Sequence, residues 1–431
     1  MVLTISGNFI LDLAFIQVIS ILYLSDAVLP LVKWKESDNM LIAAMKVPPP
    51  AAWYEKAAGS KLKLMPDAAK PCMRTTGFSI QTMSRLADIL PKYGVKFCQA
   101  NDFFHRKLET IAALQLQFCM EYLEENPFSS TDSSAVLEGG VWFLKTKSLL
   151  DGLEDFHPDL DNIYQKFADN LDTNQSGTLD LAAAIRGISV WYKHNRHKSD
   201  DLLSSLVLEV LNRKSQSGLF HYGPFSPSSV PMGQQFFILD ALLQAYSHVK
   251  LDYVLEEVFG IFSSLYNIAY KDTIQMFAFK QRSISYTAFE IAALLSCLNK
   301  IAIYSSDNSR QKAMIDQIID TFLEFLTQSY MEFHETEVRK LLKWISLSHE
   351  CKIKTDTKPV IRTLFPKRIR LSCPGPEISW NRKGITNQAD IFFLCSTLLD
   401  FLDEESVHSY DLTDSSFKLV NTLGILFDLL A

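Results

Sequence analysis

Apolar residues recur at positions i, i+3, i+4 and i+7 from about residue 77 to the end of the chain. The period-two alternation that is typical of strands is rare, so the pattern predicts an all-α protein. Twelve main helices are expected, and a short extra one near 336–348. The twelve lie at about 79–93, 102–125, 134–150, 158–171, 180–194, 199–213, 232–248, 251–270, 284–304, 309–334, 386–403 and 413–430. Taken in order, they pair into six hairpins.

The first helix of each pair repeats a pattern, in which a polar or aromatic entry leads into a helix rich in small residues. Two consecutive hairpins, Met232–Tyr270 and Ile284–Tyr330, show it most clearly, through the segments Gln234–Leu242 and Tyr286–Leu295. Small residues allow neighbouring helices to approach closely, as expected of an inner ring. The partner helices carry one polar stripe and are expected to face outward.

Six hairpins with segments such as Gln234–Tyr246 are similar to those of the (α/α)6 toroid superfamily of glycosidases, polysaccharide lyases and sugar epimerases. The resemblance covers most of residues 77–430 and consists in patterning rather than in a family-specific motif. It implies an (α/α)6 toroid built from about six helical hairpins. It also implies a site in a funnel at one end of the ring, formed by the loops that enter the inner helices and by the first turns of those helices.

Three regions are expected: a possible signal or anchoring segment at 1–46, an extended lead-in at 47–76, and the toroid domain at 77–431. The apolar run Leu13–Leu24 has the length of a signal-peptide core. No Lys or Arg precedes it, however, Asp12 stands directly before it and Gln17 interrupts it. A cytoplasmic helix therefore stays open beside export or membrane anchoring, which is slightly favoured. Membrane contact is expected only through this segment.

Composition and charge exclude several classes of function. The chain is 48% hydrophobic and carries a net charge of −7, which gives no reason to expect disorder or nucleic-acid binding. The seven cysteines are scattered, so their spacing does not indicate a zinc, iron–sulfur or haem site. The chain also has no GxSxG, Walker, GxGxxG or HExxH motif.

Residues 172–183 resemble an EF-hand calcium loop. Oxygen-bearing side chains and a central Gly177 stand where that loop requires them, and the candidate metal ligands are Asp172, Asn174, Ser176, Thr178 and Asp180. The twelfth position, which needs a bidentate Glu, is Ala183. Weak calcium binding, tight calcium binding and an ordinary turn between hairpins all stay open.

The toroid resemblance points instead to the loops at 214–234, 271–287 and 371–388. Their aromatic, Arg, Asn and Gln residues suit sugar rings and hydroxyls, and the candidate substrate-binding residues are His221, Tyr222, Gln234, Tyr286, Trp380 and Asn387. Two carboxylates one or two turns below these loops, Asp240 and Glu290, are the candidate general acid and base or nucleophile. The alternative, that each carboxylate caps or salt-bridges a neighbouring helix, is favoured over the catalytic role.

These patterns predict a glycan-processing or glycan-binding protein with a funnel at the loop end of the inner helices. If it is an enzyme, a carbohydrate-active hydrolase, lyase or epimerase is expected. The alternative is a non-enzymatic helical interaction protein whose EF-hand-like loop binds calcium. No other cofactor is expected.

Overall fold

The computed structural model describes residues 73–92, 112–123, 129–146, 156–195, 201–305, 310–326, 368–379 and 388–401, with short gaps inside several of these ranges. The expected N-terminal signal or anchoring segment, most of the lead-in and the expected helices near 336–348 and at 413–430 lie outside them. No helix in the described part of the chain is both long enough and apolar enough to cross a membrane.

Eleven helical segments are described, and we number them in chain order. Those with odd numbers are α1 (Met73–Lys92), α3 (Ser130–Thr146), α5 (Thr178–His194), α7 (Met232–Val249), α9 (Ala288–Tyr304) and α11 (Gln388–Leu398), the last extended by a 3-10 turn, Leu399–Phe401. Those with even numbers are α2 (within 112–123), α4 (Leu160–Asn170), α6 (Asp201–Asn212), α8 (Asp252–Ala269) and α10 (within 310–326).

The six odd-numbered helices form a closed ring, which we call the inner ring. Each contacts the next one along the chain, and α11 returns to contact α1. The helices α4, α6 and α8 pack outside this ring, each against the inner helix that it follows. This closure confirms the predicted all-α (α/α)6 toroid, with inner helices that all begin at one end, which we call the loop end.

Small residues set the spacing within the inner ring, as the sequence predicted. Gly139 of α3 faces Gly77 of α1 so closely that an added Cβ would lie 2.4 Å from the Gly77 carbonyl oxygen. A Cβ added to Gly187 of α5 would lie 2.7 Å from the backbone of Ser134 in α3. Any larger side chain at these two positions would force neighbouring helices apart.

The expectation that strands would be absent is wrong, because five short strands lie in the loops. They are β1 (Tyr270–Lys271), β2 (Met276–Phe277), β3 (Ile284–Tyr286), β4 (Arg368–Ser372) and β5 (Gly375–Ser379). The first two form an antiparallel pair, and the other three form an antiparallel sheet in the order β3-β4-β5. Strands of two to five residues are too short to leave a periodic signal in the sequence.

The sheet joins the segments that enter α9 and α11, since Ile284 pairs with Leu371 and Tyr286 pairs with Ile369. Residues 284–286 were predicted to begin a helix, but α9 begins at Ala288. Thr287 caps it by accepting a hydrogen bond from the Glu290 backbone N–H at 3.2 Å.

Helix α1 begins earlier than predicted, at Met73 rather than at residue 79.

Candidate functional site

A layer of buried polar side chains crosses the middle of the inner ring. Counting the first residue of each inner helix as one, the ninth residue is polar in all six. These residues are Gln81, Glu138, Arg186, Asp240, Ser296 and Ser396, and all six are buried. Because the helices are parallel and in contact, equal positions along them lie at the same level of the ring.

Arg186 is the centre of this polar layer. Its guanidinium donates to both carboxylate oxygens of Glu138, at 3.2 and 3.1 Å, and to the carboxylate of Asp240. The other Asp240 oxygen accepts from Ser296 Oγ at 2.6 Å and from Lys300 Nζ. Burial, followed by the charge of Arg186, lowers the pKa of Lys300 to about 7. Three ionic side chains from α3, α5 and α7 are therefore held together inside the protein, with Lys300 of α9 beside them.

Four phenylalanines fill the axis of the ring between the polar layer and the loop end. Phe237 lies 5.0 Å from Phe289 and 6.0 Å from Phe393, and Phe78 lies 5.2 Å from Phe393 between ring centroids. The Arg186 guanidinium stacks on the inner side of this group, 5.0 Å from the Phe393 centroid. The described part of the loop end is therefore packed with side chains along the ring axis.

A cavity of about 260 Å³ lies on the other side of the polar layer. Side chains from all six inner helices line it, and most come from the C-terminal halves of those helices. One from each helix is Arg85, Trp142, Lys193, Ser247, Tyr304 and Asp400, the last in the 3-10 turn that extends α11. The volume suits a small ligand, or one end of a larger one.

Two buried polar groups on the cavity wall have no hydrogen-bond partner among the described residues. Gln81 Oε1 is an unused acceptor, and Arg85 Nε is an unused donor. Both side chains are over nine-tenths buried, at 7% and 6% exposure. A buried polar atom without a partner is costly, so such atoms mark positions where a ligand or a water completes the bonding.

Trp142 supplies the aromatic surface of the cavity. The Arg85 guanidinium carbon lies 4.7 Å from its ring centroid, and Lys145 Nζ lies 4.3 Å from it. Arg85 also donates to the Ser396 carbonyl oxygen and to the Asp400 carboxylate. These contacts hold the cation and the ring in fixed positions beside the cavity.

The two candidate catalytic carboxylates lie at different levels of the ring. Asp240 is fully buried and bound by Ser296 and Lys300, which stand six and ten residues beyond Glu290 on α9. At about 1.5 Å per residue, that is roughly 9–15 Å along the helix. Glu290 accepts a hydrogen bond from the Thr287 backbone N–H at 2.7 Å. A joint role of the two as acid and base stays a prediction.

The four candidate substrate-binding residues that the structure describes are spread over the loop end. Tyr222 is 43% exposed, whereas Tyr286 is 1% exposed and donates from its hydroxyl to the Phe277 carbonyl oxygen. His221 Nδ1 and Gln234 Oε1 are buried and have no hydrogen-bond partner within the described chain. The remaining two candidates, Trp380 and Asn387, lie outside the described residues.

The candidate metal ligands form a turn in which three side-chain oxygens make hydrogen bonds within the protein. Asp172 Oδ1 accepts from the backbone N–H groups of Asn174 and Gln175, at 2.9 and 3.3 Å. Asp180 Oδ2 accepts from the Gly177 N–H at 3.1 Å, and Thr178 Oγ1 donates to the His221 carbonyl oxygen at 2.5 Å. The described residues contain no group of three or more His, Cys, Asp or Glu that could hold a metal ion.

A cation from the protein itself lies against this turn. The nearly fully buried guanidinium of Arg213 donates to the carbonyl oxygens of Ser176 and Thr173, at 2.7 and 2.5 Å. Backbone carbonyls of an EF-hand loop are the kind of group that calcium binds. In the EF-hand pattern the backbone carbonyl ligand is at the seventh position, here Thr178, so the two carbonyls that Arg213 binds are not candidate ligands. Calcium binding at 172–183 stays a prediction.

Sequence reasoning missed most residues of the polar layer and of the cavity. Glu138 precedes two glycines, and Arg186 follows a run of alanines, so both stand alone among small or apolar neighbours on inner helices. A charge in such surroundings is expected to be buried and paired. The regular recurrence of a polar ninth residue is the signal that could have identified the layer.

Comparisons with known proteins support the fold alone. No family model matches the chain, and no curated protein matches it. Among solved structures, the chain is similar to a variant of the unsaturated glucuronyl hydrolase from Streptococcus agalactiae, complexed with dGlcA-GalNAc6S. The match covers 92% of each chain at a TM-score of 0.52 and 10% sequence identity. That protein is an (α/α)6 toroid, and the likeness agrees with the ring that the inner helices form.

Proposed function

We propose that this protein binds a glycan in the cavity at the C-terminal end of the inner ring, as a glycan-binding or glycan-processing toroid. The observation that carries the proposal is the pair of unused hydrogen-bonding groups, Gln81 Oε1 and Arg85 Nε, on a wall that also presents Trp142. Sugars offer hydroxyls to such groups and apolar ring faces to an aromatic side chain. The solved structure with the similar fold holds a disaccharide, which supports the same class of ligand.

We place the ligand at the end of the ring opposite to the funnel that the sequence predicted. Phe78, Phe237, Phe289 and Phe393 occupy the axis towards the loop end and leave the open volume on the other side of Arg186. A ligand that entered the ring axis from the loop end would need to displace these rings. Removing the packing of one large aromatic side chain from a core costs about 3–5 kcal/mol.

Binding has more support in the cavity than acid–base turnover does. The two carboxylates that line the cavity are both used in ion pairs, Glu138 with Arg186 and Asp400 with Arg85. Neither can exchange a proton with a ligand unless its ion pair breaks. General acid–base catalysis needs a carboxyl group within hydrogen-bond reach of the reacting atom and free to change its protonation state.

The alternative, a helical interaction protein with a calcium loop, has less support. Its calcium loop already holds the Arg213 guanidinium at two backbone carbonyls. No described feature of the loop requires a metal ion to complete its hydrogen bonding.

The proposal is tested by a panel of neutral and acidic disaccharides, using saturation-transfer NMR and thermal shift on the full chain. At least one disaccharide should bind the wild-type protein. Ser247→Trp, which narrows the cavity, and Trp142→Ala, which removes its aromatic wall, should each weaken that binding by about tenfold or more. Tyr253→Ala, at an exposed tyrosine of the outer helix α8, is the matched control and should leave binding unchanged.

Two results would overturn the proposal. One is the absence of binding by any disaccharide to a folded wild-type protein. The other is unchanged binding to a folded Ser247→Trp variant, because the sugar would then occupy another place on the molecule. Far-UV circular dichroism and the melting temperature of each variant establish that it is folded.

A further inference from the structure

The end of the cavity that lies farther from the polar layer, which we call its mouth, carries more positive than negative charge. Five cations line the cavity: Arg85, Lys145, Arg186, Lys193 and Lys300. Three of them are matched by carboxylates, since Arg85 pairs with Asp400, Arg186 with Glu138 and Asp240, and Lys300 with Asp240. No carboxylate in the described part of the chain forms an ion pair with Lys145 or Lys193.

Lys145 and Lys193 stand at matching places on neighbouring helices. Each is the sixteenth residue of its helix, α3 for Lys145 and α5 for Lys193, and α3 contacts α5 along the ring. Both therefore reach the mouth at the same level, about one and a half to two turns beyond the polar layer. The Trp142 ring lies directly beside Lys145.

The positive charges of the two lysines repel each other. Both lysine side chains are exposed, and partial desolvation, followed by the charges of Lys193 and Arg85, lowers the pKa of Lys145, while the charge of Asp400 offsets part of this shift. Burial, and then the charge of Lys145, lower the pKa of His194, the next residue after Lys193. An anion placed between the lysines would relieve this repulsion, because an opposite charge favours the protonated forms. The chain as a whole carries a net charge of −7, so the positive mouth is a local feature.

The helix dipoles do not account for this arrangement. A lysine in the last turn of a helix is favourable near the partial negative charge of the C-terminal carbonyls, and this alone could place Lys145 and Lys193 in sequence. It does not account for both side chains lining one cavity beside an aromatic face.

We propose that the cavity binds an acidic glycan, and that Lys145 and Lys193 hold its anionic group, a carboxylate or a sulfate, at the mouth. This inference rests on the proposed function. The Lys145 ammonium, which lies 4.3 Å from the Trp142 ring centroid, would move from that ring to the anionic group and leave the ring to the sugar. The sugar hydroxyls would bind Gln81 Oε1 and Arg85 Nε. Charge-assisted hydrogen bonds from two lysine ammonium groups would discriminate an acidic sugar from its neutral counterpart.

The test compares three probes: a sugar with an anionic group, the same sugar without that group, and an anion without a sugar. The first is the disaccharide of glucuronic acid and N-acetylglucosamine, the second is the same disaccharide with its carboxyl group reduced to an alcohol, and the third is inorganic sulfate. Each is titrated by calorimetry into the full-length wild-type protein, Lys145→Met and Lys193→Met. Lys271→Met, which removes an exposed lysine of β1 at a distance from the cavity, is the matched control.

The acidic disaccharide should bind the wild-type protein more tightly than the reduced one. Each cavity lysine variant should weaken acidic binding by about tenfold or more and change neutral binding less than about twofold. Lys271→Met should change neither. Raising the salt concentration should weaken acidic binding selectively.

The remaining outcomes separate the two proposals. If both disaccharides bind equally and the lysine variants change nothing, the anion site is overturned while the proposed function stands. If sulfate binds through Lys145 and Lys193 but no sugar binds, the anion site stands as a site for a free anion, and both the acidic-glycan ligand and the proposed function are overturned. If none of the three probes binds a folded protein, the anion site is overturned.

Discussion

The guanidinium of Arg186 in α5 holds the carboxylate of Asp240 in α7 at the centre of the inner ring. Asp240 is fully buried, and the same guanidinium binds Glu138 of α3 through two further hydrogen bonds. One arginine therefore ties three consecutive inner helices together. It also forms the boundary between the phenylalanines on the loop side and the open cavity on the other side.

Asp240→Asn should lower the free energy of unfolding by about 3–5 kcal/mol, because it removes the carboxylate partner of Lys300 and one of the two carboxylate partners of buried Arg186. The measurement is chemical denaturation, with Glu256→Gln, at an exposed carboxylate of α8, as the control. If Asp240→Asn is as stable as the wild-type protein and loses turnover on an identified substrate, the catalytic prediction for Asp240 is supported instead.

Glu290→Ala should lower the free energy of unfolding by about 1 kcal/mol, because the Glu290 carboxylate caps the first turn of α9 through the Thr287 N–H. Thr287→Ala removes the reciprocal half of this capping box and should have an effect of similar size. A catalytic Glu290 would behave differently: its replacement by Gln would abolish turnover while stability stayed unchanged.

Arg213→Met should destabilise the fold by about 2 kcal/mol or more, because it leaves the carbonyl oxygens of Ser176 and Thr173 without their donor. In the wild-type protein, calcium should leave the melting temperature unchanged, since Ala183 supplies no carboxylate at the twelfth position and the Arg213 cation lies against the turn. A calcium-dependent rise in melting temperature that Asp172→Ala abolishes, and that Asp169→Ala retains, would instead support the EF-hand prediction.

The buried phenol of Tyr286 should make stability fall at alkaline pH. Burial, and then the charge of Glu290, raise the pKa of Tyr286 above its ordinary value near 10. The unfolded chain therefore loses this proton first, so the stabilisation is complete below pH 10 and declines above it by up to ~1.4 kcal/mol per pH unit. Tyr286→Phe should be about 1 kcal/mol less stable at pH 8, through the lost bond to Phe277, and this difference should shrink by pH 11.

Denaturation curves at pH 8, 9, 10 and 11 measure this effect, with Tyr253→Phe as the control at an exposed tyrosine. A constant difference between wild type and Tyr286→Phe across this range would show that the phenol ionises equally in the folded and unfolded chains. If Tyr286→Phe kept full stability but lost glycan binding, the sequence prediction of a substrate-binding Tyr286 would gain support.

The helical hairpins could be predicted from the sequence because their signal is local. Apolar spacing and small residues such as Gly139 and Gly187 are visible within a single helix, and the ring follows from repeating them. The short strand β3 could not be predicted, since its partner β4 lies far along the chain and three residues leave no periodicity. Long-range pairing of this kind depends on the tertiary fold rather than on local preference.

The site was harder to predict, since its residues act only across helices. Glu138 and Asp240 stand 48 and 54 positions from Arg186 in the sequence. Neither residue, taken alone, indicates a buried ion pair. The predicted position at the loop end followed from the resemblance, whereas the phenylalanines that fill that end become neighbours only when the ring closes. Asp240 was identified in advance, but its partners and its level in the ring were not.

A crystal structure of the full-length protein with the glucuronic acid disaccharide tests the placement of the ligand most directly. We expect the sugar in the cavity at the C-terminal end of the inner ring, with its ring against Trp142, a hydroxyl within hydrogen-bond distance of Gln81 Oε1, and its carboxylate between Lys145 and Lys193. A sugar bound at the loop end beside Tyr222, with the axial cavity empty, would contradict this placement.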